Sequence, residues 1–261
     1  MKKPKGKKVY SAMKRREARN FYLYTAPWLI GFFVLTLYPI VYSFYLMFTD
    51  MNLTGVGKFI GLENLKYAFT DDPLFIKAFI NTLKYVVMFV PSSIILAFFV
   101  ALLLSKKVKG LGFFRTAFYI PYITSGVAVT ILWGWIYQKD YGIINYVLSL
   151  FGIKGVNWLG DKNIAMISIV ILSLWTIGNN IIIMLAGIQD IPQSYYESAQ
   201  IDGAGAIRQI FSITLPLCTP TIYFNLIVTI IAAFQVFQQP LILTNGGPLN
   251  STYTAAIHMY N

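Results

Sequence analysis

Few residues in this chain could carry out covalent chemistry. His258 is its one histidine and Cys218 its one cysteine, which excludes a multi-histidine site, a cysteine metal cluster and an internal disulfide. Gly57-Lys58 lacks the spaced glycine of a phosphate-binding P-loop, and Phe59 stands where Ser or Thr is required. No Ser-His-Asp pattern is present. His258 therefore reads as structural, and Cys218 as a small buried apolar residue. No catalytic residue, metal or cofactor is expected. Two other sets of residues have types and spacing suited to binding. One is the polar stretch YYESAQIDGAGAIRQIFSITLP, from Tyr195 to Pro216. The other is a scatter of uncharged amides, hydroxyls and aromatic rings inside apolar runs: Ser168, Ser173, Trp175, Thr176, Asn179 and Asn180, then Asn225, Thr229, Phe234, Gln235, Phe237, Gln238 and Gln239.

The elements that position these residues follow from composition. The chain is 57% hydrophobic and 12% charged, whereas a soluble domain is nearer ~25% charged. It reads as an integral membrane protein. A crossing helix needs about 20 mainly apolar residues, and such spans are expected near 22–48, 79–104, 113–137, 164–189 and 217–239. Pro91 is expected to kink the second. The segment 141–153 is apolar but too short to cross, so it reads as an interfacial or partly buried helix. The run 21–49 is too long for a signal-peptide core and reads as an uncleaved first span.

The net charge of +11 could suggest nucleic-acid binding, but its placement argues against that. Lys2, Lys3, Lys5, Lys7, Lys8, Lys14, Arg15, Arg16 and Arg19 crowd a basic N-terminus at 1–20, and Lys106, Lys107, Lys109 and Arg115 form a second cluster. Basic clusters beside apolar spans mark the cytoplasmic side. The N-terminus and the 105–112 loop are then expected inside, against the lipid bilayer, and the 50–78 and 138–163 loops outside. The stretch 190–216 also falls inside. Its charges are Asp190, Glu197, Asp202 and Arg208, so it contributes little to topology and calls for another explanation.

Within 190–216, Asp190 is a plausible N-cap and Pro192 suits a first helical turn. A short helix over 193–202 is expected, then a turn at Gly203. A second helix over 204–214 carries an apolar stripe of Ile207, Ile210, Phe211 and Ile213 or Thr214. Leu215-Pro216 leads into the last span. This helix-turn-helix looks like a docking knob, with Tyr195 and Tyr196 as anchors beside the small Ser198 and Ala199. A solvated loop without a partner is the plainer reading.

At these residues the sequence resembles a known family. Glu197-Ser198-Ala199, Gly203, Ile213 and Leu215-Pro216 match the spacing of the "EAA" loop of binding-protein-dependent ABC transporter permeases, with Ser198 in place of the first alanine. Asp202-Gly203-Ala204 resembles the form common in sugar permeases. YTAPWLIGFFVLTLYPIVYSFYLMFTD, FIGLENLKYAF, FFRTAFYIPYITSGVAVTILWGWIY and LTNGGPLNSTYT are similar to further segments of the maltose-type and glycerol-phosphate-type group. The resemblance implies one membrane subunit of an ATP-driven importer. Its partners would be a second permease subunit, a dimer of cytoplasmic ATPase subunits and an external solute-binding protein. The loop would seat in a cleft of the ATPase, with Glu197 as the charged contact and Gly203 setting the angle between the helices. Ile213, Leu215 and Pro216 would root it in the membrane.

The expected fold is an all-α polytopic transmembrane bundle of the type I ABC importer kind, occupying 21–261. Asn245-Gly246-Gly247-Pro248 is a strong turn signal. The chain stops at Asn261 before a further span can form, so the bundle is expected to lack its last one. The expected function is passage of a carbohydrate, an oligosaccharide by preference, across the cell membrane. Amide and hydroxyl hydrogen bonds plus aromatic stacking suit a neutral polyol. Trp175, Thr176, Asn179, Asn180, Phe234, Gln235 and Gln238 are thus candidates for the translocation path. Any single buried amide is more commonly used for interhelical bonding. The alternatives are a secondary carrier, disfavoured because ionisable residues are nearly absent from the spans, and a truncated permease without function.

Overall fold

The computed structural model describes residues 12–52, 55–106 and 110–261. Lys2, Lys3, Lys5, Lys7, Lys8, Lys107 and Lys109, and most of the basic N-terminus, lie outside the described residues. The chain divides into two compact units, Met1–Asp72 and Pro73–Asn261.

In the first unit, α1 (Ala12–Gly31) passes through a π-helical stretch, Phe32–Leu37, into α2 (Tyr38–Leu46). The continuous helix Met13–Leu46 is long and apolar enough to cross a bilayer. A two-stranded antiparallel hairpin follows, β1 (Thr49–Asn52) with β2 (Gly55–Phe59), pairing Thr49 with Phe59 and Asp50 with Lys58. The sequence reading had no strand here. The hairpin is fastened to α3 (Glu63–Thr70) by Asn64, whose Nδ2 donates to the Met47 and Thr49 carbonyls at 3.1 and 3.0 Å.

The second unit is built around α4 (Phe75–Ser105), which continues through Pro91 without a break. Then come α5 (Leu111–Ile123), α6 (Gly126–Ile136), α7 (Ile143–Leu150), α8 (Ala165–Trp175) and α9 (Gly178–Gln189). The loop helices are α10 (Gln193–Ile201) and α11 (Ala206–Gln209). A π-helical turn, Ile210–Thr214, joins α11 to α12 (Leu215–Leu217). The chain continues as α13 (Thr219–Phe234), α14 (Gln238–Thr244) and α15 (Ala255–Tyr260).

Three of the expected spans are bent. The third turns by 98° between α5 and α6, the fourth by 51° between α8 and α9, and the α11–α12 segment meets α13 at 66°. Thr124 and Ser125 are extended at the first break. The expected fifth span over 217–239 is likewise interrupted, because α13 stops at Phe234 and α14 begins at Gln238. A 16-residue helix such as α13 covers about 24 Å, short of the ~30 Å hydrocarbon core. By length and composition two helices can cross, or up to five segments if each bent pair counts as one.

Small residues on α4 let its neighbours approach closely. Ala97 and Ala101 are fully covered and pack with Ile181, Met184, Leu185 and Ile188 of α9 and with Cys218. Further along α4, Tyr85, Val86 and Val90 pack with Met166 and Ile169 of α8 and Ala233 of α13. Hydroxyl groups tie the layers at depth. Tyr85 Oη donates to Ser173 Oγ at 2.8 Å, and Tyr137 Oη to the Ser168 carbonyl at 2.8 Å. The 244–258 segment is strapped to α4, with Asn81 Nδ2 donating to the Asn250 and Tyr253 carbonyls and Thr82 Oγ1 accepting from the Ala255 N–H. His258 packs edge-on against Phe75 and Tyr253.

Candidate functional site

The 190–216 loop is assembled from two short helices held at a fixed angle. α10 begins after Pro192, which occupies the N-cap position itself with extended backbone. Asp190 does not cap α10. It closes α9, donating its N–H to the Ala186 carbonyl at 3.0 Å. The turn after α10 needs a left-handed residue, and Gly203 supplies it at φ 74°. The Gly203 N–H reaches the Gln200 carbonyl at 3.0 Å and the Ala204 N–H reaches the Ala199 carbonyl at 2.8 Å. Carbonyls that would otherwise be orphaned at the helix end are thereby satisfied.

Two side chains lock the second arm. Gln209 Nε2 donates to the Ala204 carbonyl at 2.8 Å. Tyr196 Oη and Thr214 Oγ1 share a hydrogen bond of 3.0 Å across the turn. Thr214 is buried, Ile213 and Leu215 are partly buried, and Pro216 is exposed. Glu197, Ser198, Asp202 and Gly203 face solvent, while Ala199 and Ala204 are half-covered.

The expected apolar stripe does not turn inward as a whole. Ile207 is 73% and Phe211 65% exposed, and Ile201 at the end of α10 is 88% exposed. The π-helical turn explains the shift. Its wider i→i+5 spacing breaks the i, i+3, i+4 register, so Thr214 is buried and Phe211 is swung out. Ile201, Ile207 and Phe211, with Tyr195, are thus exposed on the same loop that carries the acidic Glu197 and Asp202.

The seven intramembrane candidates gather at two helix breaks. Trp175 ends α8, Thr176 sits in the break, and Asn179 and Asn180 lie in the first turn of α9. Phe234 ends α13, Gln235 sits in the next break and Gln238 opens α14. Asn180 Nδ2 donates to Thr229 Oγ1 at 2.9 Å, linking α9 to α13. Thr176 Oγ1 is spent on the Ser173 carbonyl of its own turn. Gln238 lies against Gly126, where an added Cβ would come within 2.7 Å of the Gln238 amide oxygen. Trp175, Phe234 and Gln235 are exposed, and the other four are half-buried.

An apolar cavity of about 520 Å³ adjoins Trp175 and is lined by Trp133, Phe118, Leu174 and Ile177, with none of the amides in its wall. The polar candidates therefore do not share this cavity. Two buried groups stand out beyond the expected set. Asn225, 1% exposed, has no partner for Nδ2, and Trp133 Nε1 has none either. Asn225 lies one turn before Thr229 on the same face of α13, so helical spacing could have placed it beside the Asn180 contact. Trp133 had no such signal. It is buried in the second half of α6 and packs edge-to-face on Trp175 at 5.7 Å. Among the described residues, no three His, Cys, Asp or Glu side chains converge as for a metal.

The model of the family described as "Binding-protein-dependent transport system inner membrane component" matches residues 73–261, the whole of the second unit. The chain is 38% identical over 250 residues to a probable ABC transporter permease protein, YesP, of Bacillus subtilis, covering 94% of this chain and 81% of that one. It is 34% identical over 246 residues to the arabinooligosaccharides transport system permease protein AraP of the same organism, covering 92% and 77%. Among solved structures, a chain of a bacterial alginate ABC transporter, crystallised with its alginate pentasaccharide-bound periplasmic protein, superposes with a TM-score of 0.79. The identity is 24%, over 97% of this chain and 85% of that one, a likeness of fold.

Proposed function

The chain belongs to the inner-membrane components of binding-protein-dependent transport systems, and from that premise we propose that 190–216 is the element through which an ATPase subunit drives it. ATP hydrolysis belongs to a separate subunit in such importers. In this reading an external solute-binding protein delivers a carbohydrate, a second permease completes the path, and an ATPase dimer powers it. The N-terminus and the loop both face the cytoplasm. The observation that carries the proposal is the exposure of Tyr195, Ile201, Ile207 and Phe211 on a loop fixed by the Gly203 turn and the Tyr196–Thr214 bond.

Mechanically, a rigid two-helix knob transmits displacement, whereas a floppy loop would absorb it. The bare apolar surface gives the ATPase something to grip, and Glu197 offers a charge for a basic partner. Thr214, Ile213 and Leu215 anchor the second arm at the foot of α13, so a push on the loop reaches the 66° bend at Cys218. The carbohydrate assignment is supported by AraP's substrate class and by the amides at the helix breaks.

The test uses the assembled importer. Glu197→Lys reverses the docking charge, and Gly203→Pro cannot adopt a positive φ and removes the N–H bonded to Gln200. Both variants are expected to insert normally, to retain less ATPase on purification and to lose most ATP-driven uptake. Full uptake in both would sink the assignment.

A further inference from the structure

A second cleft lies behind the knob, and the Tyr196, Gln209 and Thr214 side chains that lock the knob form part of its wall. It encloses about 530 Å³ between the end of α4, the end of α9 and the inner sides of α10 and α11, within the ~300–1,000 Å³ range of small-molecule pockets. Its wall is graded. On α4 it runs from Phe99, Leu102 and Leu103 to Ser105 and Lys106, a climb of about 10 Å along the helix. Phe99 and Leu103 are exposed, as is Lys106 where the helix ends. The rest of the lining mixes amides with Ile188, Ile191 and Ile210. Gln189, Gln193 and Gln200 are exposed, and their side chains make no hydrogen bond within the described residues.

We propose that this cleft seats one anionic phospholipid, with its acyl chain along Phe99, Leu102 and Leu103 and its phosphate at Lys106. The amides of Gln189, Gln193 and Gln200 would receive the glycerol and headgroup oxygens. Three features favour this occupant. The polarity gradient follows the axis of a helix that leaves the bilayer, so apolar wall meets tails and polar wall meets headgroups. Lys106 is part of its lining, and its charge suits an anion rather than a zwitterion. A neutral sugar would leave Lys106 and the apolar half unused.

The lipid would act as a wedge between the membrane core and the knob, setting how far α10 and α11 can tilt toward α4. The effect on transport rests on the coupling role proposed above, but the lipid site itself does not.

The experiment places the complete importer in nanodiscs of phosphatidylcholine alone or doped with phosphatidylglycerol. Native mass spectrometry then counts the phosphatidylglycerol carried out. Lys106→Gln should cut retention about fivefold, the worth of one lysine near an anionic surface. Leu103→Trp, which fills the apolar half at constant charge, should lower it too. Lys162→Gln, the same charge change on an exposed lysine outside the cleft, should leave it unchanged. Equal loss in the two lysine variants, no loss in Lys106→Gln or Leu103→Trp, or no retention by the wild type would overturn the site. Uptake assayed in the same discs separates the two proposals. A wild type that retains the lipid while Glu197→Lys transports normally keeps the site and removes the coupling reading.

Discussion

Gly203 shows how much one residue can decide. Its φ of 74° is unavailable to most side chains, yet a Cβ there would meet nothing within 4 Å. The demand is on the backbone alone, without a steric contribution from neighbours. Gly203→Asn should therefore keep most uptake, because Asn tolerates the left-handed region. Gly203→Val should lose most of it, since a β-branched residue strains there by ~1–2 kcal/mol or more. Uptake by the reconstituted importer, with ATPase co-purification measured alongside, separates the two. Similar loss in both variants would point to packing rather than to the turn. Glycine at this place was legible from the sequence. That its surroundings are open, so that only the angle matters, was not.

At the scale of elements, α4 is held to α8 by one buried hydroxyl pair. Tyr85 Oη donates to Ser173 Oγ, which itself donates to the Ile169 carbonyl. Tyr85→Phe should cost about 1 kcal/mol, the net worth of such a bond, seen as a lower thermal midpoint in detergent. The loop around α7 is tied more heavily. Asn145 Nδ2 donates to the Lys139 and Val156 carbonyls, while Oδ1 accepts from the Val156 N–H and the Trp158 indole. Asn145→Ala would strand four groups at once. Hydrogen exchange over 139–158 should accelerate sharply while α4 stays protected, and unchanged exchange would mean that the loop is held by something else. A short apolar helix was expected in this segment. The asparagine at its centre carried no periodic signal, because its partners lie in a loop folded back on it.

For the whole molecule, the two residue sets make separable predictions. Asn180→Ala and Gln235→Ala sit at helix breaks away from the loop. They should raise the KM for sugar or change which sugar is carried, with ATPase co-purification intact. Glu197→Lys should lower ATPase retention with little effect on solute-binding-protein docking. A uniform loss of both properties in every variant would mean that they report stability and not role. Asn180 has the added task of bonding Thr229, so the conservative Asn180→Gln, scored for rescue, distinguishes a substrate contact from a helix tie.

Composition and hydropathy pointed by themselves to a helical membrane protein, because apolar runs of about 20 residues recur in a chain that is only 12% charged. The polar stretch 190–216 stood out between apolar runs, and the spacing from Glu197 to Pro216 carries its resemblance to the family's loop. The bends were decided only in three dimensions. An apolar run looks the same straight or broken, and α5–α6 turns by 98° where the chain packs Gly126 against Gln238. The direction of Phe211 was likewise hidden. A π-helical turn changes which side chains share a face without changing the sequence pattern that predicted it. Local propensity names the elements, but long-range packing sets their angles and phases, and here those angles and phases leave the loop's apolar side chains exposed.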